Sequence, residues 1–359
     1  MTAPAQGNRI FIKGNEAIAR GALAAGLRCY FGYPITPQND IPEFLSTKLP
    51  EAGGEFVQAE SEVAASNMLL GAASGGVRAM VSSSSPGISL MQEAISYMAG
   101  SELPGVIVNV SRGGPGLGDI GTSQGDYFQS TRGGGHGDYR TLVLAPGTCQ
   151  EAYDMMIDAF DLAFRYRNPV LVLGDAIVGQ MKEPVVPWQP EAQNDHGAEH
   201  WCLSGAAGRE KRLLKSLFLD DGALAAQNRH LHDKYTAMRA EARAEMFACD
   251  DAELVVVAFG SIGRIVKSSI RKLRAEGHKV GLVRPLTLFP FPDTVLENLA
   301  RQGKRFLTIE QNCGQMVEDV RLAIRRYADS DFHGHMPGNM PGSDDFTDPI
   351  LARLAPAGR

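Results

Sequence analysis

Short apolar runs alternate with helix-length segments over the first 180 residues, and this alternation constrains the fold more than any other feature of the chain. Glycines lie beside the runs, which predict strands at 29–33, 77–82, 106–110, 142–144 and 170–173. The segments between them carry apolar residues at helical spacing and predict helices at 15–25, 62–71, 89–100 and 149–166. Strands and helices in this order form a parallel sheet covered by helices, so we expect an α/β fold.

A proline-rich loop, Pro34-Ile35-Thr36-Pro37, follows the first of these strands. The two prolines fix their own φ angles and favour extended backbone at the residues before them, so the Thr36 hydroxyl is held in place. Ligands of open α/β sheets bind at the carboxyl ends of the strands, where this loop, residues 82–85 and Arg112 would lie. Taken alone, the loop is more typical of a stiff strand-to-helix connection with a capping residue.

The composition changes after Gln180. Three prolines and a polar stretch predict a linker along the surface, and the charged, alanine-rich segment 208–249 predicts one or two exposed helices that form an arm. A second α/β unit starts with the apolar run 254–260, and the chain from Asp329 onward lacks periodicity and is predicted to be loop. We therefore divide the chain into the segments 8–182, 183–250, 251–335 and 336–359.

In five places the sequence resembles the α subunit of 2-oxoacid:ferredoxin oxidoreductases. The similar segments are KGNEA at 13–17, GYPITPQN at 32–39, AESEVA at 59–64, SSSSPG at 82–87 and RGGPGLG at 112–118. Residues 14–180 are similar to the pyrimidine-binding domain of that subunit, and VRPLTLFP at 283–290 resembles a transketolase C-terminal domain. Within the family the 2-oxoisovalerate type is most similar, followed by the 2-oxoglutarate type.

The resemblance implies two three-layer α/β domains with parallel sheets, a thiamine pyrimidine-binding fold and then a transketolase C-terminal-like fold. It also implies an oxidoreductase that depends on thiamine diphosphate. Such an enzyme oxidatively decarboxylates a 2-oxoacid with coenzyme A to acyl-CoA and CO₂, and its electrons pass to ferredoxin.

The resemblance also assigns cofactor-binding residues. Thiamine diphosphate requires a carboxylate that hydrogen-bonds N1′ of its aminopyrimidine ring, and Glu62 lies where the family has this catalytic glutamate. Glu60 is the alternative, and an acidic residue is also common at a helix N-terminus for purely structural reasons. The other residues expected at the cofactor are Pro34, Ile35, Ser84 and Ser85. For the serines, a role in capping the following helix is equally consistent with the sequence.

Arg112 and Thr36 are the expected substrate-binding residues. An arginine can grip the carboxylate of a 2-oxoacid with its planar fork, and Thr36 would bond the substrate from the opposite side. Without the resemblance, the sequence around Arg112 is more typical of a surface arginine before a glycine-rich loop. Residues 124, 126 and 127 lie where substrate-specific contacts could arise, and the sequence does not rank them.

The chain alone cannot complete this chemistry. It lacks the Gly-Asp-Gly motif with a downstream asparagine that holds Mg²⁺ and diphosphate, so a β subunit would supply that part of a shared thiamine site. Its five cysteines are scattered, so [4Fe-4S] clusters would lie on partner subunits only, and no metal site is expected here. The resemblance implies a γ subunit, a ferredoxin-like δ subunit or both, in a hetero-oligomer with two copies of this chain.

Charge and hydropathy exclude other classes of partner. A net charge of −6 without a basic run argues against nucleic acid. No apolar stretch reaches the roughly 18 residues that span a bilayer, and residues 1–8 lack the apolar core of a signal peptide, so we expect a cytoplasmic protein. Two alternative functions are a non-oxidative thiamine-dependent subunit, such as a decarboxylase or half of a transketolase, and a non-catalytic assembly subunit.

Overall fold

The computed structural model describes residues 8–354. Residues 1–7, which are most of the segment considered for a signal peptide, and residues 355–359 of the predicted tail lie outside the described range. The elements before the linker are β1 (Ile10–Lys13), α1 (Gly14–Ala24), β2 (Cys29–Gly32), α2 (Asp40–Glu51), β3 (Glu55–Gln58), α3 (Glu62–Ser74), β4 (Ala79–Ser83), α4 (Ser85–Gly100), β5 (Gly105–Ser111), α5 (Tyr127–Arg132), β6 (Leu142–Leu144), α6 (Cys149–Tyr166), β7 (Pro169–Asp175), α7 (Ala176–Gln180) and β8 (Lys182–Val185).

The elements after the linker are α8 (Ala223–Ala237), β9 (Ala244–Phe247), β10 (Leu254–Val257), α9 (Gly260–Ala275), β11 (Val280–Pro285), β12 (Thr287–Phe289), α10 (Asp293–Arg301), β13 (Arg305–Glu310), α11 (Met316–Ile324), β14 (Ser330–Gly334) and α12 (Thr347–Leu354). We call β1 to β8 with their helices the first unit, and β9 to β14 with theirs the second.

The strands of residues 8–354 form two large sheets and a small one. A seven-stranded sheet has the order β12-β6-β7-β5-β4-β2-β3, a five-stranded sheet has the order β14-β13-β10-β11-β9, and β1 pairs with β8. The predicted α/β class is confirmed. The sheets are mixed rather than wholly parallel, because β12 runs antiparallel to β6 and β9 antiparallel to β11.

The central strands are buried on both faces, as a sheet covered by helices on each side requires. Every residue of β5 and β7 is buried, and most of their side chains are aliphatic. Helix α6 packs against α1 so closely that a Cβ on Gly21 would lie 2.4 Å from the Tyr153 carbonyl oxygen. The Thr148 side chain caps α6 by accepting the Glu151 backbone N–H.

The structure differs from the predicted organisation in two places. Strand β9 belongs to the second sheet although it precedes the predicted boundary at residue 251, because β11 pairs with this short segment at the end of the charged arm. The predicted loop after residue 329 contains β14, which pairs with β13, and α12, whose Ile350 packs in the second core together with Phe346. All three short elements, β9, β14 and α12, gain their stability from tertiary packing, which local periodicity does not reveal.

The predicted arm contains a single α-helix, α8, within residues 208–249, together with a short 3₁₀ turn. Most of its residues are exposed, but Leu231 and Tyr235 are buried against the first unit. No helix within residues 8–354 combines the length and apolar character needed to cross a membrane.

The two units are joined by buried polar contacts. The Tyr127 hydroxyl donates to the Asp319 carboxylate at 2.5 Å, and Arg132 bonds the other oxygen of Asp319 at 3.0 Å. The Gln124 side chain donates to the Phe259 carbonyl at 2.9 Å. Tyr127 is fully buried, and burial together with the neighbouring Asp319 charge raises the pKa of its hydroxyl well above the usual value.

Tyr127→Phe tests this junction. The substitution keeps the ring but removes the donor to a charged acceptor, so the free energy of unfolding should fall by about 1.5 to 3 kcal/mol. Tyr97→Phe is the control, because within residues 8–354 the Tyr97 hydroxyl bonds only Glu93, on the helix surface. This substitution should leave urea denaturation curves unchanged. Equal midpoints for all three proteins would contradict a stabilising role for the Tyr127 contact.

Candidate functional site

The predicted site residues lie at the carboxyl ends of four adjacent parallel strands. Strands β5, β4, β2 and β3 are neighbours in that order. Thr36 follows β2, Glu62 follows β3, Ser84 follows β4 and Arg112 follows β5. The sheet therefore brings these four residues to one edge, although they are distant in sequence.

Glu62 is a buried carboxylate. It is the first residue of α3 and follows Ser61, whose side chain caps the helix by accepting the Ala64 N–H. Only 7% of Glu62 is exposed. Among residues 8–354 no donor bonds its carboxylate. A carboxylate that is mostly removed from solvent and has no donor is free to accept a hydrogen bond from a ligand, so Glu62 has the features of a ligand-binding group. Glu60, the alternative, is exposed to solvent.

Helix α4 begins directly beside Glu62. A Cβ on Gly87 would lie 2.0 Å from the Ser83 Oγ and 2.8 Å from the Glu62 Oε1, so this position is closely packed against both side chains. Further buried hydroxyls lie at the carboxyl ends of β4 and β5. Those of Ser83, Ser84 and Ser111 have no hydrogen-bond partner in the described part of the chain. The strand ends thus offer unsatisfied polar groups to a bound molecule.

Arg112 connects two loops at the same edge. Its Nη1 donates to the Thr36 carbonyl at 2.9 Å and its Nη2 to the Leu117 carbonyl at 3.1 Å. The side chain is 7% exposed, and its Nε is buried without a partner among the described residues. Arg112 therefore has N–H groups left for an anion. The Thr36 side chain is exposed and its Oγ1 accepts from Asn39 at 3.3 Å.

The remaining cofactor candidates differ in their environments. Ser84 occupies the N-cap position of α4, yet its side chain makes no capping hydrogen bond within residues 8–354, so this alternative role is not observed. The Ser85 hydroxyl donates to the Asp126 carboxylate at 2.6 Å. Pro34 is exposed and Ile35 is half-buried on the loop that Arg112 holds.

A cleft of about 460 Å³ opens between the two units beside Arg112. Its walls come from the start of α4, from the loops after β5 and from the turn after β13. The turn, Gln311-Asn312-Cys313-Gly314-Gln315, was not predicted as part of the site. A signal for it was present, since a polar run directly follows the apolar strand β13, at a carboxyl end of the second sheet.

Residues 124, 126 and 127, which the sequence did not rank, have separate roles in the structure. Gln124 and Tyr127 are occupied by contacts with the second unit. Asp126 faces the cleft instead and bonds Ser85 and Asn109 of the first unit. Of the three, Asp126 alone is placed beside the candidate site.

The turn after β13 is held by the buried Glu310. Its carboxylate accepts the backbone N–H groups of Met316 and Val317 at 2.7 and 2.9 Å and the Asn312 side chain at 2.9 Å. Burial raises the pKa of this carboxyl, and these hydrogen bonds act in the opposite direction. In the part of the chain that the structure describes, no cluster of three or more His, Cys, Asp and Glu side chains could hold a metal ion.

The arrangement fits an organic cofactor or substrate better than a metal ion. An unpaired buried carboxylate can accept a hydrogen bond from a ring nitrogen, and the buried hydroxyls can satisfy further polar atoms. An arginine with free N–H groups can bind a carboxylate. These are the groups that an aminopyrimidine and a 2-oxoacid require, so the residues present fit the thiamine diphosphate that the sequence predicted.

Family models match nearly the whole chain. Residues 20–252 match the model described as pyruvate flavodoxin/ferredoxin oxidoreductase, thiamine diphosphate-binding. Residues 252–346 match the model described as pyruvate:ferredoxin oxidoreductase core domain II. The junction between the two models lies in the turn between β9 and β10.

Comparison with individual proteins also indicates subunits of 2-oxoacid-metabolising enzymes. The chain is 51% identical over 313 residues to the ketoisovalerate oxidoreductase subunit VorB of Methanothermobacter thermautotrophicus, covering 87% of this chain and 89% of that one. It is 37% identical over 317 residues to the 2-oxoglutarate synthase subunit KorA of Archaeoglobus fulgidus, with coverages of 86% and 90%.

Among solved structures, the 2-oxoglutarate:ferredoxin oxidoreductase of Magnetococcus marinus, with 2-oxoglutarate, coenzyme A and succinyl-CoA bound, superimposes with a TM-score of 0.83 at 25% identity. That match covers 97% of this chain and 66% of the other. A split-gene transketolase superimposes with a TM-score of 0.57 at 12% identity, which shows a shared fold.

Gly87→Ala tests the packing against Glu62. The new methyl group would be forced against Ser83 and Glu62, so the free energy of unfolding should fall by about 1 to 3 kcal/mol. Gly71→Ala is the matched control, because a Cβ on Gly71 in α3 meets no atom within 4 Å and alanine stabilises a helix. Equal stability of the two variants in urea denaturation would show that Glu62 is not confined as described.

Proposed function

We propose that this chain is the α subunit of a 2-oxoacid:ferredoxin oxidoreductase. The chain belongs to the thiamine diphosphate-binding family of pyruvate and related 2-oxoacid:ferredoxin oxidoreductases. The enzyme would oxidatively decarboxylate a 2-oxoacid with coenzyme A to acyl-CoA and CO₂. One observation carries the proposal: Glu62 is a buried carboxylate with no donor among the described residues, at the strand edge that also holds Arg112.

Thiamine diphosphate, when bound, supplies the nucleophilic carbon and the electron sink that 2-oxoacid decarboxylation needs. Glu62 would hold its aminopyrimidine by accepting a hydrogen bond at N1′. Pro34, Ile35, Ser84 and Ser85 would line the same ring, and the free Ser84 hydroxyl supports this assignment. The tight packing of Gly87 would keep the Glu62 carboxylate in one position.

Arg112 would bind the substrate carboxylate, and Thr36 would contact the substrate from the neighbouring loop. The hydrogen bond from Arg112 to the Thr36 carbonyl supports a joint role, because it fixes the distance between the two loops. The cleft beside Arg112 leaves space for the rest of the 2-oxoacid.

The chain would work only with partner subunits. A β subunit would supply the Mg²⁺ and diphosphate site, since the sequence lacks the motif for it. A γ subunit, a ferredoxin-like δ subunit or both would hold the [4Fe-4S] clusters through which electrons pass to ferredoxin, in a hetero-oligomer with two copies of this chain. The cytoplasmic location expected from the sequence remains a prediction.

The alternatives have weaker support. The similarity to a split-gene transketolase concerns the fold alone, whereas relatives at 51% and 37% identity are named as oxidoreductase or synthase subunits. A pure assembly subunit would have no need for a buried, unpaired Glu62.

The substrate should be a branched-chain 2-oxoacid, because the identity to the ketoisovalerate relative exceeds that to the 2-oxoglutarate relative. The purified complex should reduce a viologen dye in a coenzyme A-dependent reaction with 2-oxoisovalerate, and kcat/KM should be lower for 2-oxoglutarate, pyruvate and aryl glyoxylates. A preference for 2-oxoglutarate would reverse the substrate assignment but keep the reaction. Decarboxylation without dye reduction would favour the non-oxidative alternative.

Glu62→Gln should lower kcat of the complex by about 30-fold to 1000-fold, because the amide keeps the shape of the side chain but lacks the anionic acceptor. Size-exclusion chromatography should show normal assembly. Glu60→Gln is the matched control, an exposed glutamate two positions earlier, and it should retain its activity. A large loss in Glu60→Gln with near-normal turnover in Glu62→Gln would move the assignment to Glu60.

A further inference from the structure

We propose that Asp126 is a positioning residue for Arg112, and that the second unit of the chain holds Asp126 in place. The inference rests on the proposed function, in which Arg112 binds the carboxylate of the 2-oxoacid. It adds a specific residue and a role for the second unit in substrate binding.

The contact between Asp126 and Arg112 runs through one hydroxyl. The Arg112 backbone N–H donates to the Ser85 Oγ at 2.9 Å, and the Ser85 hydroxyl donates to the Asp126 Oδ2 at 2.6 Å. A serine hydroxyl has a single proton. The bond to Asp126 uses this proton and fixes the position of the Ser85 oxygen, whose lone pairs accept the Arg112 N–H. Without Asp126, the same proton would turn to the Arg112 carbonyl at 3.3 Å, the other acceptor within reach.

Asn109 fixes the carboxylate from the other side. Its Nδ2 donates to the same Asp126 oxygen at 2.8 Å, and its Oδ1 accepts the Ser85 backbone N–H at 3.1 Å. Asn109 is fully buried in β5, two residues before the strand ends at Ser111. The hydrogen bonds among Asp126, Ser85 and Asn109 therefore form a closed set. They connect the start of α4 to the end of β5, which directly precedes Arg112.

The second unit holds the loop that carries Asp126. The Gln315 Nε2 donates to the Gly125 carbonyl at 2.8 Å, and its Oε1 accepts the Phe128 backbone N–H at 2.8 Å. These two contacts lie on either side of Asp126 in the sequence. Gln315 is the last residue of the turn that Glu310 organises, and its backbone N–H donates to the Glu310 carboxylate at 3.3 Å. The Gln315 side chain thus holds the backbone on both sides of Asp126 against the second unit.

This geometry has a selective consequence. Loss of the Asp126 acceptor should displace the Arg112 backbone and weaken its grip on the substrate carboxylate. We assign Arg112 to the carboxylate of the 2-oxoacid and not to coenzyme A, so KM for coenzyme A should be unaffected. A merely structural effect would instead alter both KM values or the stability of the complex.

The test is steady-state kinetics of the assembled complex with Asp126→Ala. KM for the 2-oxoacid should rise about 5-fold to 30-fold, less than the direct loss of a charge-assisted hydrogen bond would cost, because Asp126 acts on Arg112 only through Ser85; KM for coenzyme A should be unchanged and kcat should stay within about 3-fold. Asp126→Asn should restore most of the affinity, because its amide oxygen can still accept from Ser85. Asp138→Asn removes an equal charge on an exposed loop away from the cleft and should have no effect.

Further variants separate the inference from the proposed function. Gln315→Met keeps the side-chain volume but removes both contacts to the loop, so it should raise the same KM, and it serves if Asp126→Ala does not assemble. Arg112→Lys should also raise this KM, and adding Asp126→Ala to it should cause little further change, because both act on one contact. An unchanged KM in Arg112→Lys would overturn the substrate role of Arg112. A raised KM there, with normal values in Asp126→Ala and Gln315→Met, would overturn the positioning role alone.

Discussion

Parallel pairing of β3, β2, β4 and β5 is the constraint on which the rest of the site depends. Parallel neighbours need a crossover between them, so every strand of the set ends at the same edge of the sheet and is followed there by a loop or helix start. A carboxylate, a hydroxyl cluster and an arginine from separate parts of the sequence thereby become neighbours. No single segment of the chain could present these groups together with the same rigidity.

The polar groups at this edge reduce the stability of the isolated chain. The hydroxyls of Ser83, Ser84 and Ser111 are buried without partners among the described residues, and each such group raises the free energy of the folded state. The surrounding core, formed by fully buried strands such as β5 and β7, offsets this cost. A ligand that satisfies these groups would therefore stabilise the protein as it binds.

The sequence was sufficient for the α/β class, for the central strands of the first unit and for the edge at which the site residues meet. Long apolar runs and helical periodicity encode these features locally. Strand β9 and helix α12 were missed because they are short and become ordered through pairing or packing with distant residues. The cleft could not be predicted for the same reason, because the turn after β13 reaches it only through the packing of the two units. Gln124 and Tyr127 could not be distinguished from Asp126, since adjacent residues of one loop face different units.

Strand β12 has a consequence for synthesis of the chain. It pairs with β6 and forms the last strand of the first sheet, but it comes from the second unit. On the ribosome, β6 therefore emerges long before the strand that covers it, and its backbone N–H and C=O groups remain an open edge in the meantime. Open edges of this kind recruit strands from other molecules. The first unit consequently cannot finish its own sheet until β12, in the first half of the second unit, has been translated.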